Sequence, residues 1–157
     1  MIIAMTVITL IYLLLISVQD LKEKAFYTFP ANVLTVLWSV IAVRRIEASD
    51  SATVMVCVVF IGLYLLLNFG KIWGEGDSDL FLLNAAIYFA VSGYGFGIES
   101  IIVQILMFAG VLLIAMCIGV IEAKIKKEKI NRLSSIAVAP GFLFVTGAVL
   151  LKGVILC

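Results

Sequence analysis

Six runs without a charged residue divide this chain: 1–18, 29–43, 51–70, 80–98, 100–121 and 133–151. Most approach the roughly 20 residues that cross a hydrocarbon core of about 30 Å. Inside such a core no water satisfies main-chain N–H and C=O groups, so a spanning segment is a helix or part of a closed barrel. The runs are continuous rather than alternating, which selects helices. With 64% hydrophobic and 13% charged residues and a mean hydropathy of +1.26, the chain has more apolar surface than a soluble domain of this length can use. The expectation is an all-α polytopic membrane protein with six transmembrane helices, residues 1–157 forming one domain. No internal repeat, linker or low-complexity tract interrupts it.

Local signals refine that reading. The run 29–43 is short, but Pro30 suits a first helical turn, and Arg44 and Arg45 can snorkel at its far end. Glu99 alone separates the fourth and fifth runs, and Gly93-Tyr94-Gly95-Phe96-Gly97 before it suits a tight helix-helix turn. The first run lacks a basic leading region and an A-x-A site, and Asp20-Leu21-Lys22-Glu23-Lys24 follows it directly. It reads as a retained transmembrane helix rather than a signal peptide.

Charge and composition exclude several functions. A net charge of +1 argues against a nucleic-acid partner. Without histidine there is no Ser-His or Cys-His catalysis and no histidine metal site. Cys57, Cys117 and Cys157 form no C-x-x-C pair, so neither zinc nor a disulfide framework is indicated, and they read as buried apolar cysteines. No cofactor is called for.

Lysine and arginine are distributed unevenly. The segments after the first, third and fifth runs hold Lys22, Lys24, Lys71, Lys124, Lys126, Lys127, Lys129 and Arg132; the opposite side holds Arg44, Arg45 and Lys152. The positive-inside rule then puts both termini outside and the odd-numbered loops in the cytoplasm.

That orientation brings two acids to one face. Asp20 and Asp77 each stand where an uncharged run meets a loop, and both fall on the cytoplasmic side. Asp77 closes Gly74-Glu75-Gly76-Asp77. Two neighbouring carboxyls cannot both ionise cheaply, so they share a proton and one pKa rises. The ionised member can activate water while the protonated one polarises a peptide carbonyl. The glycines suit an extended backbone approaching Asp77 closely. The plain alternative is that Asp20 and Asp77 are loop charges that end helices.

These residues resemble the type IV prepilin peptidases, intramembrane aspartic proteases of the GxGD class. Gly74-Glu75-Gly76-Asp77 fits that motif at its three fixed positions. Asp20 follows the first helix, Lys22 and Lys24 come next, and Pro30 and Asn32 open the second. Ala139-Pro140-Gly141-Phe142 is similar to the family's proline-containing motif in the last helix. The resemblance implies Asp20 and Asp77 as catalytic residues, Gly74 and Gly76 as motif-supporting, and no metal. It implies cleavage of leader peptides from type IV pilin-like precursors at the cytoplasmic face of the cell membrane. It resembles the short form without a cysteine-bearing region, which implies no N-methylation. Two departures concern substrate choice: Ala31 separates Pro30 from Asn32, and Asp79 stands where relatives often have lysine.

Other residues read more plainly. Asp79 and Glu75 read as solvated loop charges, although Asp79 could also tune the pair or bind a basic leader. The 124–132 cluster reads as a topology signal, with lipid headgroups as the other partner for it. Asn68 and Asn84 lie in apolar runs and suit bonds between helices. Trp38 and Trp73 suit interfacial or core packing. A small transporter or channel using boundary carboxylates is the rival function, although such proteins more often place acids mid-helix or use paired half-helices. A non-catalytic membrane assembly factor is a third reading. A presenilin-like protease would carry an aspartate within the third helix, and none occurs there.

The orientation has a direct test. A Lys127→Cys variant in a cysteine-free background should resist a membrane-impermeant thiol reagent in intact cells and react after permeabilisation. Efficient external labelling would reverse the topology.

Overall fold

The computed structural model describes residues 2–45, 51–69, 74–92, 98–126 and 136–155. They form six helices: α1 (Ile2–Glu23), α2 (Phe29–Arg45), α3 (Ser51–Phe69), α4 (Glu75–Ser92), α5 (Ile98–Lys126) and α6 (Ala139–Ile155). No strand occurs among the described residues.

The helix boundaries follow from local chemistry. α1 ends in an αL cap: Lys24 has φ 53°, and its N–H donates to the Asp20 carbonyl at 2.9 Å. Thr28 starts α2 by accepting from Ala31 N at 2.9 Å, and Pro30 has no N–H to lose in that first turn. α6 repeats the device, with Val138 accepting from Gly141 N at 2.9 Å and Pro140 in the first turn.

α1 shows which solvent the fold is built for. Its buried residues are Thr6, Thr9, Leu13, Ile16, Ser17 and Asp20, a stripe at steps of three and four. Its exposed face carries Ile3, Val7, Ile8, Ile11, Leu14, Leu15 and Val18. Polar groups point inward and aliphatic groups outward, the reverse of a helix on a soluble core. Such a surface is stable against lipid and a liability in water.

α4 is the central helix. Leu80, Phe81, Leu83, Ala85, Ile87, Phe89 and Ala90 are all buried. It packs most extensively on α2, then on α6 and α3. α3 reaches it through Phe60, whose ring lies 6.1 Å from Phe81 and 5.5 Å from Phe89. α6 packs on α1, α4 and α5, and its glycines permit close approach. A Cβ on Gly141 would collide with the Val111 carbonyl oxygen of α5. Trp38 is wholly buried and donates to Thr9 at 3.0 Å, tying α2 to α1.

Several expectations change. Two helices, Ile2–Glu23 and Glu99–Ile125, are long and apolar enough to cross a membrane, whereas Phe29–Arg44 and Ala139–Gly153 are shorter apolar helices. Six helices are present, but length and composition mark only two described ones as spans. α4 begins at Glu75 rather than near residue 80, so three acids occupy its first turns. α6 begins at Ala139, six residues after the start of its run. Cys117 is exposed rather than buried, because the outward faces here are the apolar ones. The 93–97 turn, Lys71, Trp73, Cys157 and the 127–132 part of the basic cluster lie outside the described residues.

The α5–α6 contact gives a paired test. Gly141→Ala places a methyl against main-chain oxygen that cannot rotate away, and should cost about 1–3 kcal/mol. Gly62→Ala on α3 meets nothing within 4 Å and should cost nothing. Thermal unfolding in detergent should show a lower Tm for the first variant only.

Candidate active site

One end of the bundle gathers the charged residues. The ends of α1, α3 and α5 meet the starts of α2, α4 and α6 there. Lys24, just past α1, pairs with Glu122 of α5 at 2.5 Å. Asp20, in the last turn of α1, is 5% exposed. Its Oδ2 accepts from the main-chain N–H of Ala139 at 3.0 Å. It therefore caps α6, with a carboxylate at the positive end of that helix.

Asp77 lies in the first turn of α4, half-buried. Gly74 is the N-cap, its carbonyl accepting from Asp77 N at 3.1 Å and Ser78 N at 3.2 Å. The sequence suggested extended loop backbone; these bonds make it helix instead. The two glycines have separate packing roles. A Cβ at position 74 would lie 3.3 Å from Asp77 Oδ2, so glycine leaves that flank of the carboxyl uncrowded. A Cβ at position 76 would lie 2.8 Å from the Phe26 ring and 3.1 Å from Thr28 Cγ2. Glycine there lets α4 sit against the α1–α2 connection.

Asp20 and Asp77 thus stand on two helix termini at the same end, joined by α6, which packs on both α1 and α4. Burial pushes the Asp77 carboxyl up to about 7, and repulsion from the Asp20 carboxylate adds to the rise. Burial raises the Asp20 carboxyl as well, opposed by the main-chain N–H groups of Ala139 and Val138 and by Lys24, so the pair holds a shared proton above the ordinary carboxylate range.

Asp79 departs most from expectation. It is not a solvated loop charge: it is 6% exposed and lies within α4. Its Oδ2 accepts from Asn32 Nδ2 at 3.2 Å and its Oδ1 from Tyr64 OH at 3.0 Å. Asn68 donates to the same Tyr64 hydroxyl at 3.2 Å, so its bond runs along α3 rather than between helices. Asn84 does bond across helices, donating to Gln104 of α5 at 3.4 Å and accepting from Thr146 of α6 at 2.9 Å.

Sequence reasoning missed the Asp79 cluster. Its available signal was three polar residues, Asn32, Tyr64 and Asn68, set in otherwise apolar runs. A cavity of about 310 Å³ between α2, α3 and α4 is lined by Thr35, Phe60, Ala85 and Phe89 among others, and by none of the three aspartates. The carboxylates sit at the bundle end. Among the described residues no group of three or more His, Cys, Asp or Glu side chains could hold a metal.

The raised Asp77 carboxyl has a consequence for stability. Its folded pKa of about 7 exceeds the ordinary 3.8. The unfolded chain therefore ionises first, and stability is lost as pH rises from about 4 through 7. Asp77→Asn removes that penalty. Its Tm gain over the unmodified protein should be larger at pH 8 than at pH 4; equal gains would show an Asp77 carboxyl with an ordinary pKa.

Comparison of the chain with family models, with curated proteins and with solved structures returned no match.

Proposed function

We propose that this protein is an intramembrane aspartic endopeptidase of the prepilin peptidase type. On this reading it removes leader peptides from type IV pilin-like precursors at the cytoplasmic face of the cell membrane. The observation that carries the reading is that Asp20 and Asp77 stand at the same end of an all-helical bundle, near enough for Asp20 to add to the upward shift of Asp77. The Gly74–Asp77 motif and the inward-polar, outward-apolar α1 support it.

The chemistry follows from the unequal surroundings of the two acids. Asp20, ionised and held by Ala139 N–H, takes a proton from water as the water attacks the scissile carbonyl. Asp77, protonated, gives its proton to the developing oxyanion. As the tetrahedral intermediate collapses, the C–N bond breaks, the amine leaves with the proton held by Asp20, and one hydroxyl of the intermediate returns its proton to Asp77 as the new carboxyl group forms. All six helices cross the membrane in this reading, α1 and α5 as the longest crossings; α4 crosses through its uncharged part from Leu80 onward, which leaves Asp77 at the cytoplasmic boundary.

The test is cleavage of a type IV pilin-like precursor by the protein in liposomes. Asp20→Asn and Asp77→Asn should each lower turnover by at least about a thousandfold while the protein remains folded. The double variant should be no worse than either single one, because the pair acts as a unit. Activity of the unmodified protein should fall as pH rises through about 7, where Asp77 loses its proton. Substantial turnover by either single variant would exclude the pair.

A further inference from the structure

We propose that Asp79 is a positioning residue: through its hydrogen bonds to Asn32 and Tyr64 it fixes the rotation of α4 about its own axis and so aims Asp77 at Asp20. Its activity consequence rests on the dyad reading; its geometric consequence does not.

Asp79 is 6% exposed and both carboxylate oxygens are used, one by α2 and one by α3. Its hydrogen-bond donors there, an amide and a phenol, are both uncharged. Burying a carboxylate on neutral donors costs more than burying an amide or an apolar side chain of similar size. Packing alone would be served by a cheaper residue. A carboxylate offers two acceptors diverging to two helices, which an amide, with one acceptor and one donor group, does not.

Helix geometry supplies the link to Asp77. At 3.6 residues per turn, side chains two positions apart point about 200° apart. Asp79 faces α2 and α3, so Asp77, two positions earlier, lies on the opposite side of α4, within electrostatic reach of Asp20. Fixing one fixes the other. The turn between Gly74 and Asp77 contains two glycines, the residues that hold helical backbone least firmly. An external anchor is therefore needed just where Asp79 provides one. A side-chain tip about 5–6 Å from the helix axis moves about 1 Å for a rotation of about 10°. A misplacement of about 1 Å in a catalytic group can cost about a hundredfold in rate.

The experiment has two arms. In a background with Cys57, Cys117 and Cys157 replaced by serine, an Asp20→Cys/Asp77→Cys protein is oxidised with copper phenanthroline and the disulfide-linked fraction measured. Adding Tyr64→Phe or Asp79→Asn should lower that fraction several-fold. Thr146→Ala, which removes a buried hydrogen bond to Asn84 elsewhere in the bundle, should leave it unchanged even where it lowers Tm as much. In the activity arm, on the native-cysteine protein with a synthetic pilin-like leader peptide, Tyr64→Phe should lower kcat about tenfold at unchanged KM. Asp79→Asn should lower it about a hundredfold, and the double variant should match Asp79→Asn alone. Unchanged cross-linking in both variants, or an equal fall in Thr146→Ala, overturns the inference. If Asp79→Asn does not fold, Tyr64→Phe decides alone. Activity surviving in Asp20→Asn or Asp77→Asn would sink the dyad reading and leave the cross-linking result standing.

Discussion

The buried polar side chains of this bundle turn mostly toward one another, away from largely aliphatic outer faces. α1 shows the rule most plainly, with Thr6, Thr9, Ser17 and Asp20 turned inward and isoleucine, leucine and valine turned out. Where a helix face meets lipid rather than water, hydrophobic burial contributes little to holding it against its neighbours. Close contact and internal hydrogen bonds remain. The protein uses both: Gly141 lets α6 lie against the α5 main chain. Trp38–Thr9, Thr146–Asn84–Gln104 and Asn32–Asp79–Tyr64 each cross from one helix to another.

The polar links divide by depth. Those at the bundle end involve charge: Asp20 with the α6 N-terminus, Lys24 with Glu122, Asp79 with Asn32 and Tyr64. Those deeper in the bundle, around Asn84 and Trp38, are neutral. This is the division that desolvation cost demands, since an ion is far dearer to bury than an amide. It also explains why the starts of α2, α4 and α6 converge on one end. Their free N–H groups and positive dipole ends make it the place where carboxylates are least costly.

Much of this was legible in the chain. Uncharged runs gave six helices because continuous apolar sequence has few other ways to satisfy its backbone. Asp20 and Asp77 stood out because a charge ending such a run is conspicuous. The start of α4 was misplaced because glycine was taken for extended backbone. Gly74 followed by Glu75 and Asp77 is equally a helix N-cap with acids in the first turn. Asp79 was misread for a different reason. A carboxylate near a helix end is usually solvated, and its burial depends on Asn32 and Tyr64 arriving from two other helices. No local pattern encodes that. Cys117 was assigned to the interior by a rule learned from water-soluble proteins, which inverts where the surface is the greasy side.

The cap that Asp20 provides for α6 joins residues 119 positions apart. During synthesis at about 5–20 residues per second, Asp20 emerges on the order of ten seconds before Ala139 does. Through that interval α1 holds a carboxylate whose structural partner has not yet been made, and α4 can fold without the helix that bridges it to α1. The two acids acquire their mutual environment only when α6 enters. A nascent chain that has not yet made α6 thus carries both residues without the helix that packs on α1 and α4 together.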